Sequence, residues 1–175
     1  MQAPVIWLTG LPASGKTTLA NELKKYYDQK SLPCDILDGD EIRKTLSKDL
    51  GLSPEDRKEH NRRVIFVAKL LAKNGITTII PLISPYRETR DNARKEIPKF
   101  FEVWVKASVD ECKRRDPKGL YKKAQAGEIQ NLTGLQAPYE EPKNPELIVD
   151  TENQSVEESV NLIISTLKNL RYLKV

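Results

Sequence analysis

Gly10-Leu11-Pro12-Ala13-Ser14-Gly15-Lys16-Thr17 stands between an apolar run, Val5 to Thr9, and an amphipathic stretch that opens at Thr17. The eight residues match G-x-x-x-x-G-K-[ST] in the strand-before, helix-after setting that gives the pattern its meaning. The two glycines let backbone N–H groups turn inward around a phosphate, Lys16 adds a point charge, and the following helix aims its positive end at the same spot. Gly10, Leu11, Pro12, Ala13, Ser14, Gly15, Lys16, Thr17 and the adjoining Thr18 are therefore candidate ligands of nucleotide phosphates, and Lys16 is also a candidate catalytic cation. Thr17 is a candidate Mg²⁺ ligand through its hydroxyl. A strand-to-helix turn that merely contains Gly-Lys-Thr is the bland alternative, and the flanks argue against it. Ser14 suits the loop by its size rather than by its chemistry.

Outward from this loop, strand-like runs alternate with helical patterns. The strand candidates are Val5 to Thr9, Cys34 to Leu37, Thr77 to Ile83, Phe101 to Lys106 and Leu147 to Asp150, near-continuous apolar runs of the kind covered on both faces. Leu19, Leu23, Tyr26 and Tyr27 mark one face of a helix over Thr17 to Tyr27. Ser53-Pro54-Glu55-Asp56 reads as an N-cap with proline at the first helical position, opening a helix that runs to Gly75. Ser108 and Ser155 begin similar capping patterns, the second ahead of the stripe Val156, Val160, Ile163, Ile164 and Leu167. The expected fold is α/β: a P-loop NTPase-type, doubly wound, mainly parallel five-stranded sheet with helices on both faces, and ligands at the carboxyl ends of the strands.

At 175 residues, with 38% hydrophobic and 31% charged residues, one domain spanning 1–175 is expected, with enough apolar side chains for a core. No apolar run approaches the ~20 residues of a membrane-spanning helix, and Met1 to Leu8 lacks the pattern of a secretory signal. A cytoplasmic protein is expected. Cys34 and Cys112 form no CxxC pair, and His60 is the single histidine, so the cysteines read as buried thiols rather than a disulfide or metal site. The 29 basic and 25 acidic residues leave +4, a mild excess suited to small polyanions, and 6% aromatics without a basic block argue against nucleic acid.

The second strand candidate ends in Asp38-Gly39-Asp40. Two carboxylates at a strand terminus can hold hydrated Mg²⁺ or take the proton of an attacking hydroxyl, and alternation along extended chain sends both to one side. The alternative is a solvated turn with Asp40 capping a helix. Arg43, Arg57, Arg62, Arg63 and Arg87 recur near the strand ends, where a guanidinium fork suits phosphate or sulfate oxygens, although any one of them can be a solvated helix residue.

Taken together, Gly10 to Thr17, Leu37-Asp38-Gly39-Asp40 with Arg43, Asp49 to Ser53 with Asp56-Arg57, Ile83-Ser84-Pro85-Tyr86-Arg87, Arg115 to Ala124, Thr133-Gly134 and Pro138-Tyr139-Glu140 resemble the adenylylsulfate kinases over nearly the whole chain. That family phosphorylates the 3′-hydroxyl of adenosine 5′-phosphosulfate with ATP and Mg²⁺ in sulfate assimilation. The resemblance implies that Asp40 lies beside the acceptor hydroxyl as base or Mg²⁺ ligand, with Asp38 on the substrate. It implies further that Arg43, Arg57 and the backbone of Ile83 and Ser84 hold the phosphosulfate. Arg115 is implied as a donor-nucleotide contact, and Lys118 as part of a mobile lid over roughly 116–134, which fits a Lys- and Gly-rich stretch with little apolar periodicity. Ser84 is described in the family as a phosphoserine. In-line transfer to a bound hydroxyl needs no covalent relay, so a hydrogen bond from Ser84 to substrate is expected instead. Dimerisation is a further expectation of the resemblance.

Three positions depart from the family pattern: Leu52 and Leu132 stand where aromatics usually clasp the acceptor adenine, and His60 stands where asparagine is common. Leucines keep an apolar slot but lose stacking, worth ~1–3 kcal/mol per base. These changes leave two alternatives open, a kinase of another small nucleotide conjugate such as a cytidine diphosphoramidate, and a nucleotide-dependent switch without a small acceptor.

Overall fold

β1 (Val5–Thr9) is buried along its whole length and lies at the centre of the sheet, hydrogen-bonded in parallel to β3 (Thr77–Pro81) on one side and β4 (Phe100–Lys106) on the other. β2 (Cys34–Ile36) and β5 (Leu147–Asp150) form the edges, giving the all-parallel order β2-β3-β1-β4-β5. The chain runs from β1 towards one edge and then crosses to the other, so the loop after β1 lies where the strand order reverses. The computed structural model describes residues 2–174.

Both faces of the sheet are covered, which is why the strands read as unbroken apolar runs. α1 (Lys16–Gln29) and α7 (Val156–Asn169) pack Leu19, Leu23, Ile163 and Leu167 on Ile6, Leu8, Phe101 and Val103. On the opposite face, α3 (Pro54–Lys73) and α4 (Arg87–Glu96) bury Val64, Ala68, Ala93 and Ile97 against Trp7, Ile80 and Phe100. The expected caps form: Ser53 accepts from the Asp56 N–H, Ser108 from Glu111, and Ser155 completes a capping box with Glu158. Among the described residues no helix is long and apolar enough to cross a membrane.

The structure differs from the sequence-based expectation in four places. β2 stops at Ile36 and β3 at Pro81, beyond which the chain turns into the site. A short helix α2 (Gly39–Lys44) follows β2, capped by Asp38 rather than Asp40. Within the stretch expected to lack apolar order, α6 (Leu120–Gln125) buries Tyr121 and Ala124 with Leu132 and with Cys112 of α5 (Val109–Arg115). Six residues are too few to display a helical stripe in the sequence. Cys112 is buried as expected but Cys34 is only partly so, and both are free thiols.

Candidate active site

A cleft of about 930 Å³ opens at the carboxyl ends of the strands, walled by the loops after β1, β2, β3 and β5 and by the 115–133 stretch. In the loop after β1, a Cβ on Gly10 would fall 2.4 Å from the Val105 carbonyl oxygen, and Gly15 holds φ +100°, so each position is confined to glycine. Lys16 folds over this loop, its Nζ donating to the Gly10 carbonyl at 2.9 Å and the Leu11 carbonyl at 2.6 Å. Burial pushes its ammonium down to about 7. Pro12, Ala13, Gly15, Lys16, Thr17 and Thr18 line the cleft.

Gly10, Leu11 and Ser14, expected as phosphate ligands, stand behind that wall instead. Leu11 packs its side chain over Gly134, and Ser14 is fully buried, its carbonyl accepting from Thr151 Oγ1 at 2.8 Å. Thr151 is in turn gripped by Arg115, whose Nη1 and Nη2 donate to its hydroxyl and carbonyl while Nε meets Glu111. Arg115 thus borders the cleft, yet two of its nitrogens brace the phosphate loop through Thr151. Thr151 escaped the sequence reading; the available signal was its place just past the carboxyl end of β5.

Asp38 and Asp40 both reach the cleft, but not by alternation along a strand. Asp38 Oδ1 accepts from the N–H groups of Asp40 and Glu41, fixing the start of α2, and the first helical turn carries Asp40 outward. There Asp40 Oδ2 pairs with Lys118 Nζ. Thr17, exposed on the first turn of α1, offers a hydroxyl to the same space. These are hard oxygen donors, and among the described residues no cluster of three or more His, Cys, Asp or Glu could hold a metal by itself. Such a donor set fits a cation carried mainly by phosphate oxygens and water, as Mg²⁺ is.

At the far end, Arg43 donates to the Gly51 carbonyl, and burial followed by the neighbouring Arg57 charge lowers its pKa. Arg57 is buried, with Nε on the Leu52 carbonyl, Nη1 on Thr133 Oγ1 and Nη2 on the Asn131 carbonyl. The expected phosphosulfate fork therefore also ties α3 to the segment leading from α6. His60, 1% exposed, borders the cleft and holds Nδ1 3.0 Å from Ser47 Oγ, while Nε2 is buried with no hydrogen-bond partner. Burial, then the charges of Arg43 and Arg63, push its pKa down to about 4. The expected apolar slot is asymmetric, since Leu52 is 50% exposed whereas Leu132, at 8%, is packed into the cluster with Cys112 and Tyr121.

Ile83 and Ser84 reach the cleft, with the Ser84 hydroxyl bonded inside the protein. Its Oγ accepts from Trp7 Nε1 at 2.9 Å and donates to the Leu82 carbonyl at 3.3 Å, leaving it 1% exposed. Both partners belong to the protein, so the Ser84 proton and one of its lone pairs are engaged within the fold.

The chain matches the family described as "Adenylylsulphate kinase" over residues 2–150. It is 51% identical over 174 residues to the adenylyl-sulfate kinase of Oceanobacillus iheyensis, covering 98% of this chain and 87% of that one. It is also 51% identical to the probable adenylyl-sulfate kinase of Pyrococcus abyssi, with 99% of each chain covered. Among solved structures, the Mycobacterium tuberculosis APS kinase CysC in complex with AMPPNP and APS superposes with a TM-score of 0.92 at 42% identity, covering 95% of this chain and 98% of that one. With its phosphate loop, paired aspartates, Arg43 and the buried Arg57 gathered at one sheet edge, this chain belongs to the adenylylsulphate kinase family.

Proposed function

We propose that this protein transfers the γ-phosphoryl group of ATP to the 3′-hydroxyl of adenosine 5′-phosphosulfate, giving 3′-phosphoadenosine 5′-phosphosulfate, as a cytoplasmic enzyme of sulfate assimilation. The observation that carries this reading is the single cleft in which Lys16, Asp40, Arg43 and Arg57 converge. The complex of the M. tuberculosis relative with AMPPNP and APS supports a donor and an acceptor nucleotide in such a cleft.

In this reading the loop amides, Lys16 and Thr18 hold the donor phosphates, and Arg115 borders the donor nucleotide. Asp40 accepts the proton as the 3′-oxygen bonds to the γ-phosphorus and the bond to the β,γ-bridging oxygen of ADP breaks. Arg43 and Arg57 neutralise the phosphosulfate together with the backbone at Ile83 and Ser84, and Leu52, His60 and Leu132 border the acceptor base and sugar. Thr17 and Asp40 would hold Mg²⁺ beside the phosphates, where it would supply charge neutralisation on the transferring group. Lys16 keeps the transferring oxygens oriented, and the 116–134 segment of the single 1–175 domain closes as a lid, Lys118 leaving Asp40 for the substrates.

The test is kcat/KM with ATP and Mg²⁺ across adenosine 5′-phosphosulfate, cytidine diphosphate conjugates and nucleoside monophosphates. Adenosine 5′-phosphosulfate is expected to lead. A cytidine conjugate preferred by more than about tenfold, roughly 1.4 kcal/mol at the transition state, would reassign the acceptor. Nucleotide retention with no acceptor-stimulated turnover would mark a switch.

A further inference from the structure

Behind the loop that follows β3 lies a buried ion pair that is not itself part of the lining of the substrate cleft. Arg90 of α4 is 2% exposed and lies with Nε 2.8 Å from Oε1 of Glu102, itself 5% exposed. Glu102 stands on β4 directly beside Trp7 of β1, so the carboxylate and the indole share one face of the sheet. Its other oxygen meets Arg94, which also binds Glu146. The two remaining nitrogens of Arg90 form a fork: Nη1 donates to the Ser84 carbonyl and Nη2 to the Glu140 carbonyl. The face of Tyr139 lies 5.7 Å from the guanidinium.

One arm of this fork holds the acceptor-side loop directly, and the other holds Glu140, which is itself bonded to that loop. Ser84 has φ +40°, uncommon for a residue with a side chain, so its conformation has to be imposed from outside. Trp7 fixes its hydroxyl and Arg90 its carbonyl. Thr9 Oγ1 donates to the Ile83 carbonyl at 2.7 Å, and Tyr139 OH completes the chain by donating to Thr9 at 2.9 Å. The Glu140 N–H returns to the Pro85 carbonyl, and the Glu140 carboxylate accepts from the Arg87 N–H.

We infer that Arg90, neutralised by Glu102, is a positioning residue for the acceptor: it holds the Ile83–Ser84 backbone in the one conformation that meets the acceptor's acidic end, without touching substrate. This inference rests on the acceptor lying against Ile83 and Ser84 as proposed above. The donor loop shares none of these contacts, so the effect of disturbing the fork falls on one substrate.

The experiment uses Arg90→Lys, which keeps the charge opposite Glu102 but loses the planar fork, and Glu102→Gln, which keeps the shape and loses the charge. Wild-type turnover first identifies the acceptor, which tests the functional reading by itself, and the variants are then measured with whichever acceptor the wild type uses. In Arg90→Lys the acceptor KM should rise ten- to thirtyfold, with the ATP KM and the calorimetric Kd for a non-hydrolysable ATP analogue within twofold. Glu102→Gln should raise the acceptor KM two- to fivefold with the same selectivity, and this carries the test if Arg90→Lys does not fold. An acceptor KM within twofold of wild type, or equal rises in both KM values, overturns the inference.

Discussion

Lys118, two residues before α6, is ion-paired with Asp40 in the first turn of α2, closing the cleft between two segments 78 residues apart in sequence. Their side chains are 61% and 64% exposed, so the pair is wet, and wet pairs contribute little to stability. It does hold the proposed base against the segment proposed as the lid, and the bond to Asp40 raises the pKa of Lys118, keeping it charged. Lys118→Ala should therefore shift Tm by less than ~2 °C while lowering kcat by roughly ten- to a hundredfold through lost positioning. Thermal melts and steady-state kinetics on one preparation check both halves, and a large Tm loss with normal kcat contradicts the assignment.

Asp38 and Asp40 should separate by type of damage. Asp38 caps α2 with one oxygen, so Asp38→Ala should cost about 0.5–2 kcal/mol of stability, whereas Asp38→Asn, also a good cap, should cost little. Asp40→Asn should leave stability intact and lower kcat at least about a hundredfold, as loss of a general base does. Chemical denaturation beside single-turnover rates distinguishes them; equal small rate losses in the two Asn variants would remove Asp40 from the chemistry.

Lys16 makes nucleotide binding depend on protons. With its pKa pushed down to about 7 by burial, it is largely neutral in the free protein at pH 8.5 and charged at pH 6. Phosphate oxygens favour the ammonium form, so binding raises the pKa and takes up a proton in the alkaline range. Calorimetry of ATP binding at pH 8.5 in buffers of different ionisation heat should show uptake approaching one proton, declining towards zero at pH 6. No buffer dependence at pH 8.5 would mean that Lys16 is already charged.

Ser84→Ala should keep kcat within about tenfold of wild type, because the hydroxyl faces Trp7 and Leu82 rather than the cleft. It strands the indole N–H, so stability should fall by ~1–3 kcal/mol. Denaturation midpoints and turnover measure the two effects. Complete inactivity, with acid-stable phosphate on Ser84 of the wild type, would restore the covalent role.

His60 should act as an acid-lability site. Its folded pKa, about 4, lies below the ordinary ~6.5, so the unfolded chain binds more protons between these values. The contribution is therefore present above pH 6.5 and lost as pH falls towards 4. His60→Gln should show a shallower loss of Tm between pH 7 and 4.5 than the wild type. Parallel curves would place the acid sensitivity elsewhere.

Much of this protein was legible along the chain. Gly10 to Thr17 announces its own conformation, since glycine alone accepts φ +100° at position 15 and a carbonyl 2.4 Å from a Cβ at position 10. Runs such as Val5 to Thr9 declare strands covered on both sides, and Ser53, Ser108 and Ser155 mark helix starts through contacts only three residues away. What depends on neighbours within a few residues is written locally. The roles of individual polar groups are not, because a hydroxyl or guanidinium chooses among partners that only the folded chain brings near. Nothing around Ser84 shows that its oxygen turns to Trp7, 77 residues away, nor does the helix holding Arg90 reveal Glu102 on a central strand. Arg57 gripping Thr133, and Arg115 bracing the phosphate loop through Thr151, are likewise products of β2-β3-β1-β4-β5 order and of burial. The sequence by itself determined the fold, the phosphate loop and the family; the tertiary structure decided which donors and acceptors face the cleft and which are spent holding it, because a buried polar group must be satisfied by whatever the fold sets beside it.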